Sequence, residues 1–339
     1  MGTSYTITDN FNPPLYLTYP FAIQLSIEEF MAKIALLFSG QGAQRVGMGV
    51  DLAGAYPAAR AIFQIAPDAL PADFLKVMQT GPEETLTRTA YCQPALYLHG
   101  LALLAALKVK RSDFTFAATA GLSLGEFTAH AAGGTFSAED GLRLVARRGV
   151  LMEQACTQTQ GAMLALLGTD EALAAKVATA AGWEVANLNG GGQVVLSGPA
   201  EKLEAAQAAA KELGVKRAIP LKVAGAYHSS LMQSAKEGLS EAITKTSMKM
   251  PAVPVLSNFL GRPAGDEAEI RSSLLDQVTG TVRWETCLKD LSGRGITHLI
   301  ELGPGAVLAG LAKKIVPDLP CHSAGTLAEL EKVIHELPR

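Results

Sequence analysis

Three stretches of the sequence pass from a short apolar run through a glycine-containing turn into a helical pattern. They are KIALLFSGQGAQ (33–44), FAATAGLSLGEF (116–127) and GITHLIELGPGAVLAGL (295–311). Each apolar run predicts a buried strand that delivers a loop to the end of a sheet, and the helical patterns predict helices between the strands. The sequence therefore predicts an α/β fold.

The chain is long enough for one principal domain with a smaller one inserted into it, since 48% of its 339 residues are apolar. Residues 161–223 show the order β-α-β-β-α-β, which is the ferredoxin-like pattern. We expect a core of residues 32–160 and 224–318 around a small subdomain of 161–223, with an N-terminal extension (1–31) and a C-terminal tail (319–339). Within the returning part of the core, VPVLSN (253–258) predicts a further strand.

Charge and cysteine content exclude several classes of protein. Lys and Arg total 29 against 32 Asp and Glu, so no positive excess points to a nucleic acid partner. The four cysteines have neither metal-ligand spacing nor the density of a disulfide scaffold. The first 30 residues contain no Lys or Arg, unlike a signal or transit peptide, and no apolar run is long enough to span a bilayer. We therefore expect a cytoplasmic protein with no bound metal, no nucleic acid partner and no membrane segment. We also expect it to be a monomer.

Ser123 lies in GLSLG, a G-x-S-x-G match. On its own the match is weak, because 33 glycines make a chance occurrence plausible. Its position after an apolar strand and before a helix favours a nucleophilic serine whose nearby backbone N–H groups can stabilise an oxyanion. The alternative is a flexible glycine turn.

A serine nucleophile needs a base, and the chain has six histidines. His99 and His130 fall in helical patterns, His298 in a strand, and His322 and His335 near the C-terminus. The sixth, His228, lies in the small-residue loop GAYHSS, where a base can reach a cleft. The alternative for His228 is a loop histidine that hydrogen-bonds to backbone.

Arg147 and Arg148 are neighbours in the helical pattern LVARRGVLMEQ. Adjacent side chains on a helix point about 100° apart, so one arginine can face inward while the other faces solvent. An inward guanidinium could bind a carboxylate through two hydrogen bonds and select an acyl group with a free acid. The alternative is a pair of solvated arginines on an amphipathic helix.

The chain resembles the malonyl-CoA:acyl carrier protein transacylases of fatty acid and polyketide synthesis, from about residue 33 to about residue 316. The likeness depends on an ordered set of motifs: GQGAQ (40–44), GLSLGEF (121–127), RRG (147–149), NLNGGGQVVLSG (187–198), GAYHS (225–229), SNFLGRP (257–263), DQVTGTVRW (276–284) and ELGPGAVLAGL (301–311). Any one motif could be accidental, but the ordered set is highly specific.

The resemblance implies an α/β-hydrolase-like core with an inserted ferredoxin-like subdomain, and it implies roles for particular residues. Ser123 would be the acylated nucleophile, His228 its general base, and Arg148 the ligand of the malonyl carboxylate. Gln277 would orient the histidine through a carbonyl, so that no acidic third member is needed. Asn189 matches a family asparagine near the cleft.

The resemblance also implies the oxyanion hole and the acyl pocket. The backbone N–H groups of Gln41 and Leu124 would bind the oxyanion. Tyr227 stands where a bulky Phe accompanies malonyl and a small Ser accompanies methylmalonyl in the family, so we expect malonyl as the main acyl group. One departure is Leu122, where the family usually has His before the nucleophile, as in GHSLGE; the change removes a polar group from that wall.

The activity implied by the resemblance is transfer of malonyl from coenzyme A to the phosphopantetheine thiol of acyl carrier protein through a malonyl-serine intermediate, with no cofactor. Two alternatives remain at this point. A related acyl hydrolase would release the acid to water, although it would gain nothing from a carboxylate ligand at Arg148. A non-catalytic docking protein would keep the fold and bind carrier protein, as the change at Leu122 could indicate.

Overall fold

The computed structural model describes residues 1–2 and 32–338, of which residues 33–338 form one compact unit. Apart from its first two residues, the predicted N-terminal extension (1–31) lies outside the described residues. The strands are β1 (Ile34–Phe38), β2 (Ala118–Gly121), β3 (Gly161–Leu167), β4 (Glu184–Gly190), β5 (Gln193–Pro199), β6 (Arg217–Pro220), β7 (His298–Leu302) and β8 (Cys321–Ala324). The helices are α1 (Val50–Ala55), α2 (Pro57–Gln64), α3 (Phe74–Thr80), α4 (Glu83–Thr87), α5 (Thr89–Lys110), α6 (Leu124–Gly133), α7 (Ala138–Thr159), α8 (Glu171–Ala181), α9 (Leu203–Glu212), α10 (Gln233–Lys245), α11 (Glu267–Thr279), α12 (Trp284–Gly293), α13 (Val307–Ile315) and α14 (Leu327–Glu336).

The larger part of the chain is built on a four-stranded parallel sheet in the order β2-β1-β7-β8. Every residue of β1 is buried, as expected of an inner strand whose two faces are covered. Because the strands are parallel, the loops after β1, β2 and β7 reach the same edge of the sheet. These loops are the three glycine-containing turns predicted from the sequence.

A second four-stranded sheet is antiparallel, with the order β4-β5-β3-β6. Its strands alternate with α8 and α9, so the chain runs β-α-β-β-α-β over this segment. The apolar faces of the strands and both helices pack into a core of their own, which includes Leu164, Val177, Leu196 and Ala206. One end of this sheet comes close to the main body, because Leu188 N–H donates to the carbonyl oxygen of Val282.

Two sequence predictions differ from the structure. The stretch 253–258 forms only isolated bridges, from Val255 to Thr119 and from Leu256 to Pro263, because Pro254 and its neighbour Pro251 lack the N–H that a ladder needs. The predicted tail from residue 319 instead contains β8, which pairs with β7, and α14, whose Leu330 and Val333 are buried. The apolar alternation there is short, which explains why the sequence alone did not place it in the sheet.

Helix α5 is long and apolar enough to cross a membrane by length and composition, contrary to the expectation that no run would qualify. It lies inside the protein instead, with 83% of its apolar window buried. Its low amphipathicity fits this position, because neighbouring elements cover it on several sides. Within the described residues it is therefore a core helix.

Candidate active site

Ser123 occupies the turn between β2 and α6 with φ 56° and ψ −105°, a conformation that a residue with a side chain rarely adopts. The turn is tight because it has glycines on both sides. A Cβ on Gly121 would overlap the backbone of Gly125, and a Cβ on Gly125 would overlap the carbonyl oxygen of Phe38. The predicted strand–turn–helix is therefore present, and it holds Ser123 at the edge of the sheet where the loops meet.

His228 lies next to the serine, with its Nε2 2.8 Å from Ser123 Oγ. The Nδ1 atom donates to the backbone carbonyl oxygen of Gln277 at 2.7 Å, which leaves Nε2 unprotonated and able to accept the serine proton. Burial, and then the charge of Arg148, lower the pKa of His228 to about 4. The imidazole is therefore neutral at physiological pH, as a general base must be.

The two adjacent arginines lie in opposite environments. Arg147 is exposed, whereas Arg148 is 1% exposed and its Nη2 donates to Ser123 Oγ at 3.1 Å. Burial lowers the pKa of Arg148 to about 10, which leaves it charged near neutral pH. In the described part of the chain no carboxylate lies within ion-pair distance of this guanidinium. A buried cation beside the serine oxygen makes this position favourable for an anionic group.

Two amide side chains hold Arg148 in this position. Gln277 Oε1 accepts from Nη2 at 2.9 Å, and Gln93 Oε1 accepts from Nη1 at 2.7 Å. Neutral acceptors orient the guanidinium without forming an ion pair with it, while the buried carboxyl group of Glu126 opposes the effect of burial on the pKa of Arg148. Gln277 thus contacts both His228, through its backbone, and Arg148, through its side chain.

The loop after β1 lies directly beside the serine turn. A Cβ on Gly40 would come within 2.6 Å of the carbonyl oxygen of Leu122, so only glycine permits this approach. Among the described residues, no acceptor is within hydrogen-bond reach of the backbone N–H groups of Gln41 and Leu124. These N–H groups belong to the two segments that flank Ser123.

Tyr227 connects this loop to the start of α5. Its hydroxyl oxygen lies 2.7 Å from Thr89 Oγ1 and accepts from Gln41 Nε2 at 3.2 Å. The ring is 7% exposed, and burial raises the pKa of its hydroxyl. The bonds at the far end of the side chain fix where the ring lies against the cavity.

A cavity of about 570 Å³ opens onto Ser123 and His228. Much of its wall is apolar and includes Leu122, Met152 and Val195, while Asn189 and Gln193 add polar groups. This volume is within the range of pockets that hold small organic ligands. The structure therefore places the predicted residues Asn189, Tyr227 and Leu122 on one cavity with the serine.

Sequence reasoning missed three polar residues around Ser123. Asn258 Oδ1 accepts from the backbone N–H of Ser123 at 2.6 Å, Gln93 holds Arg148, and Glu126 is fully buried behind the serine turn. Glu126 and Asn258 fall within motifs quoted above, but no role was given to them. The available signal was a polar side chain in an otherwise apolar and glycine-rich stretch.

Comparison with known proteins gives consistent matches. The family model described as "Acyl transferase domain" matches residues 35–328. The malonyl CoA-acyl carrier protein transacylase of Bacillus subtilis is 41% identical over 84% of this chain and 91% of its own length. The crystal structure of an acyl-carrier-protein S-malonyltransferase from Bartonella henselae is 37% identical, covers 90% of this chain and 99% of its own, and superposes with a TM-score of 0.85. A malonyl-transacylase solved in complex with a type II polyketide synthase acyl-carrier protein is 34% identical, covers 90% and 100%, and has a TM-score of 0.84.

The fold and the family model together define an acyl transferase. The curated relatives narrow this class, because they match over most of both chains and share one description. The chain belongs to the malonyl-CoA:acyl carrier protein transacylase family.

Proposed function

We propose that this protein transfers a malonyl group from coenzyme A to the phosphopantetheine thiol of acyl carrier protein, and that Ser123, His228 and Arg148 perform the reaction. The proposal depends above all on one observation: Ser123 Oγ lies 2.8 Å from a neutral imidazole nitrogen and 3.1 Å from a buried guanidinium. The pair of contacts provides a base for the hydroxyl and a cation for the acid end of a malonyl group.

In the first half-reaction, Ser123 Oγ attacks the thioester carbonyl while its proton passes to His228 Nε2. The carbonyl oxygen becomes an oxyanion, for which we assign the backbone N–H groups of Gln41 and Leu124 as donors. When the C–S bond breaks, the proton moves from His228 to the departing coenzyme A sulfur. The product is malonyl-Ser123, whose free carboxylate we assign to Arg148.

In the second half-reaction, the carrier-protein thiol gives its proton to His228 and the resulting thiolate attacks the serine ester. Breakdown of this intermediate breaks the C–Oγ bond and returns the proton from His228 to Ser123. Gln277 holds the imidazole in the tautomer that both halves need, since its carbonyl oxygen accepts from Nδ1. Every step uses groups of the chain and its two substrates, so we infer that no cofactor takes part.

The acyl pocket and the architecture complete the proposal. We infer that the Tyr227 ring limits the space at the malonyl α-carbon and that Asn189 contacts the pantetheine arm or the acyl group from the cavity wall. The antiparallel order β4-β5-β3-β6 supports a ferredoxin-like subdomain at 161–223, inserted into an α/β-hydrolase-like core that continues through α14. The four free cysteines support a location in the reducing cytoplasm.

Intact-protein mass spectrometry with malonyl-CoA alone tests this function. We expect the wild type to gain one malonyl group and to lose it on addition of holo acyl carrier protein. Ser123→Ala should gain none, and His228→Ala should load at least about 10³-fold more slowly, because nucleophile and base act as a unit. His322→Ala, which removes a histidine within β8, is the matched control and should load normally.

The same experiment separates the alternatives. An acyl hydrolase would release malonate to water without carrier protein, and a docking protein would never carry the added mass. Normal loading of His228→Ala would show that another group is the base.

A further inference from the structure

The carboxyl group of Glu126 is a buried titratable group that the proposed reaction does not use. It is fully buried on the first turn of α6, three residues after Ser123. Burial raises its pKa to about 7, against the opposing effect of hydrogen bonds from Asn258 and Gln277. A carboxylate is costly to bury, so its position directly behind the nucleophile needs a physical account.

One oxygen of this carboxylate accepts hydrogen bonds from Asn258 and Gln277, and both of these residues also bond to the backbone of Ser123. Glu126 Oε2 accepts from the backbone N–H of Asn258 at 3.0 Å and from Gln277 Nε2 at 2.5 Å. The other oxygen, Oε1, receives no hydrogen bond within the described residues, and His130 Nε2 is 4.0 Å from it.

Asn258 and Gln277 in turn form hydrogen bonds with the two peptide groups of Ser123. Asn258 Oδ1 accepts from the Ser123 N–H at 2.6 Å, and Gln277 Nε2 donates to the Ser123 carbonyl oxygen at 3.0 Å. Ser123 has a positive φ that its side chain disfavours, so external bonds must hold it there. Gln277 also fixes His228 through its carbonyl and Arg148 through Oε1.

We propose that Glu126 is a positioning residue which, through Oε2, locks Asn258 and Gln277 onto the strained Ser123 turn and so aligns nucleophile, base and arginine. We infer that it acts by the reach of one acceptor oxygen, and its electrostatic attraction to Arg148 is the competing effect. The inference rests on the proposed function, since it takes Ser123 as the nucleophile.

Two conservative variants separate reach from charge. Glu126→Gln keeps the length of the side chain and can place its amide oxygen at Oε2, with its NH2 at the unbonded Oε1 position facing His130. Glu126→Asp keeps the charge but is one CH2 shorter, so its oxygen withdraws from Asn258 and Gln277. Ala129→Gly on the same helix is the stability control, because it weakens α6 and leaves Glu126 and its partners in place.

The measurement is the rate at which phenylmethylsulfonyl fluoride sulfonylates Ser123, followed by intact mass and corrected for the folded fraction. In this reaction Ser123 Oγ replaces fluoride, so no malonyl group is involved. We expect Glu126→Gln within about threefold of wild type and Glu126→Asp roughly tenfold to hundredfold slower, since a misplacement of about 1 Å can cost that much. Ala129→Gly should melt at a lower temperature but react at the wild-type rate. If the Asp variant does not fold, Glu126→Met, of similar length and without a strong acceptor, should show the same slow reaction.

Equal rates in Glu126→Asp and wild type would reduce Glu126 to a folding role and overturn the inference, as would a Gln variant as slow as the Asp variant. A wild-type Ser123 that resists the reagent would overturn it too. Failure of the proposed function has a different signature: normal sulfonylation of Ser123 without any malonyl loading.

Discussion

Arg147 and Arg148 show that a shift of one position along a helix decides whether a side chain faces solvent or the protein interior. Both belong to α7, but one is exposed and the other is buried against Ser123 Oγ. The sequence predicted that one of the two could face inward, and the resemblance selected Arg148. Sequence alone could not show that its partners are amides, because Gln93 and Gln277 are 55 and 129 residues away along the chain.

Arg148→Ala should lower kcat/KM for malonyl loading, with a loss of transition-state stabilisation of about 2–5 kcal/mol. The reason is that the malonyl carboxylate would lose its buried partner. Loading of acetyl, which has no carboxylate, should fall less, so the malonyl-to-acetyl ratio should narrow. Competition between malonyl-CoA and acetyl-CoA, followed by intact mass, measures this ratio. Arg147→Ala is the matched control, and an unchanged ratio in Arg148→Ala would remove the arginine from substrate recognition.

The ring of Tyr227 should limit the size of the acyl group, and its hydroxyl should fix the position of the ring. Two variants separate these effects. Tyr227→Ser opens space beside the α-carbon and should narrow the ratio of malonyl to methylmalonyl loading. The free-energy difference between the two should fall by about 1–3 kcal/mol, the usual value of one methyl group in a fitted pocket. Tyr227→Phe keeps the ring and removes the hydroxyl that contacts Thr89 and Gln41, so it should keep the ratio and lower only the rate. Competition between the two thioesters measures both. If wild type loads methylmalonyl preferentially, the ring does not fill this space.

At the scale of elements, local pattern predicts local structure well. The runs before Gly40, Ser123 and Gly303 are strands β1, β2 and β7, and the segment after Gly161 has the expected order of strands and helices. The same local pattern misled at 253–258, where prolines reduce a strand to bridges, and at β8, which only its pairing with β7 reveals.

What the sequence could not predict is the set of contacts that cross between elements. Asn258 reaches Ser123 from 135 residues away, and Gln277 from 154. These two polar side chains lie in loops or helices whose own periodicity is unremarkable, and only the tertiary fold brings them to the serine turn. Ser123 was therefore predictable as a candidate nucleophile from its own neighbourhood, whereas Asn258 was missed and Gln277 was assigned only through the family resemblance.

At the scale of the whole molecule, buried histidines should make stability depend on pH. Burial lowers the pKa of His99 to about 4, of His130 to about 3, and of His228 to about 4. Between pH 6.5 and these values the unfolded chain binds protons that the folded protein excludes, so the free energy of unfolding should fall on acidification. Glu126 and Glu301 act in the opposite sense, because burial raises their pKa values and the folded protein then holds their protons more tightly.

His99→Leu isolates one of these contributions. His99 is fully buried on α5, where Asp51 and Glu329 oppose but do not overcome the effect of burial on its pKa. The leucine variant fills the site without a titrating group, so between about pH 6 and pH 4 its free energy of unfolding should fall less steeply, by up to about 1.4 kcal/mol per pH unit. Denaturant titrations across this range measure the slope, and His335→Leu makes the same change at an exposed site as a control. The difference between wild type and variant cancels the opposing carboxyl groups, so parallel curves would mean that His99 carries its proton in the folded protein.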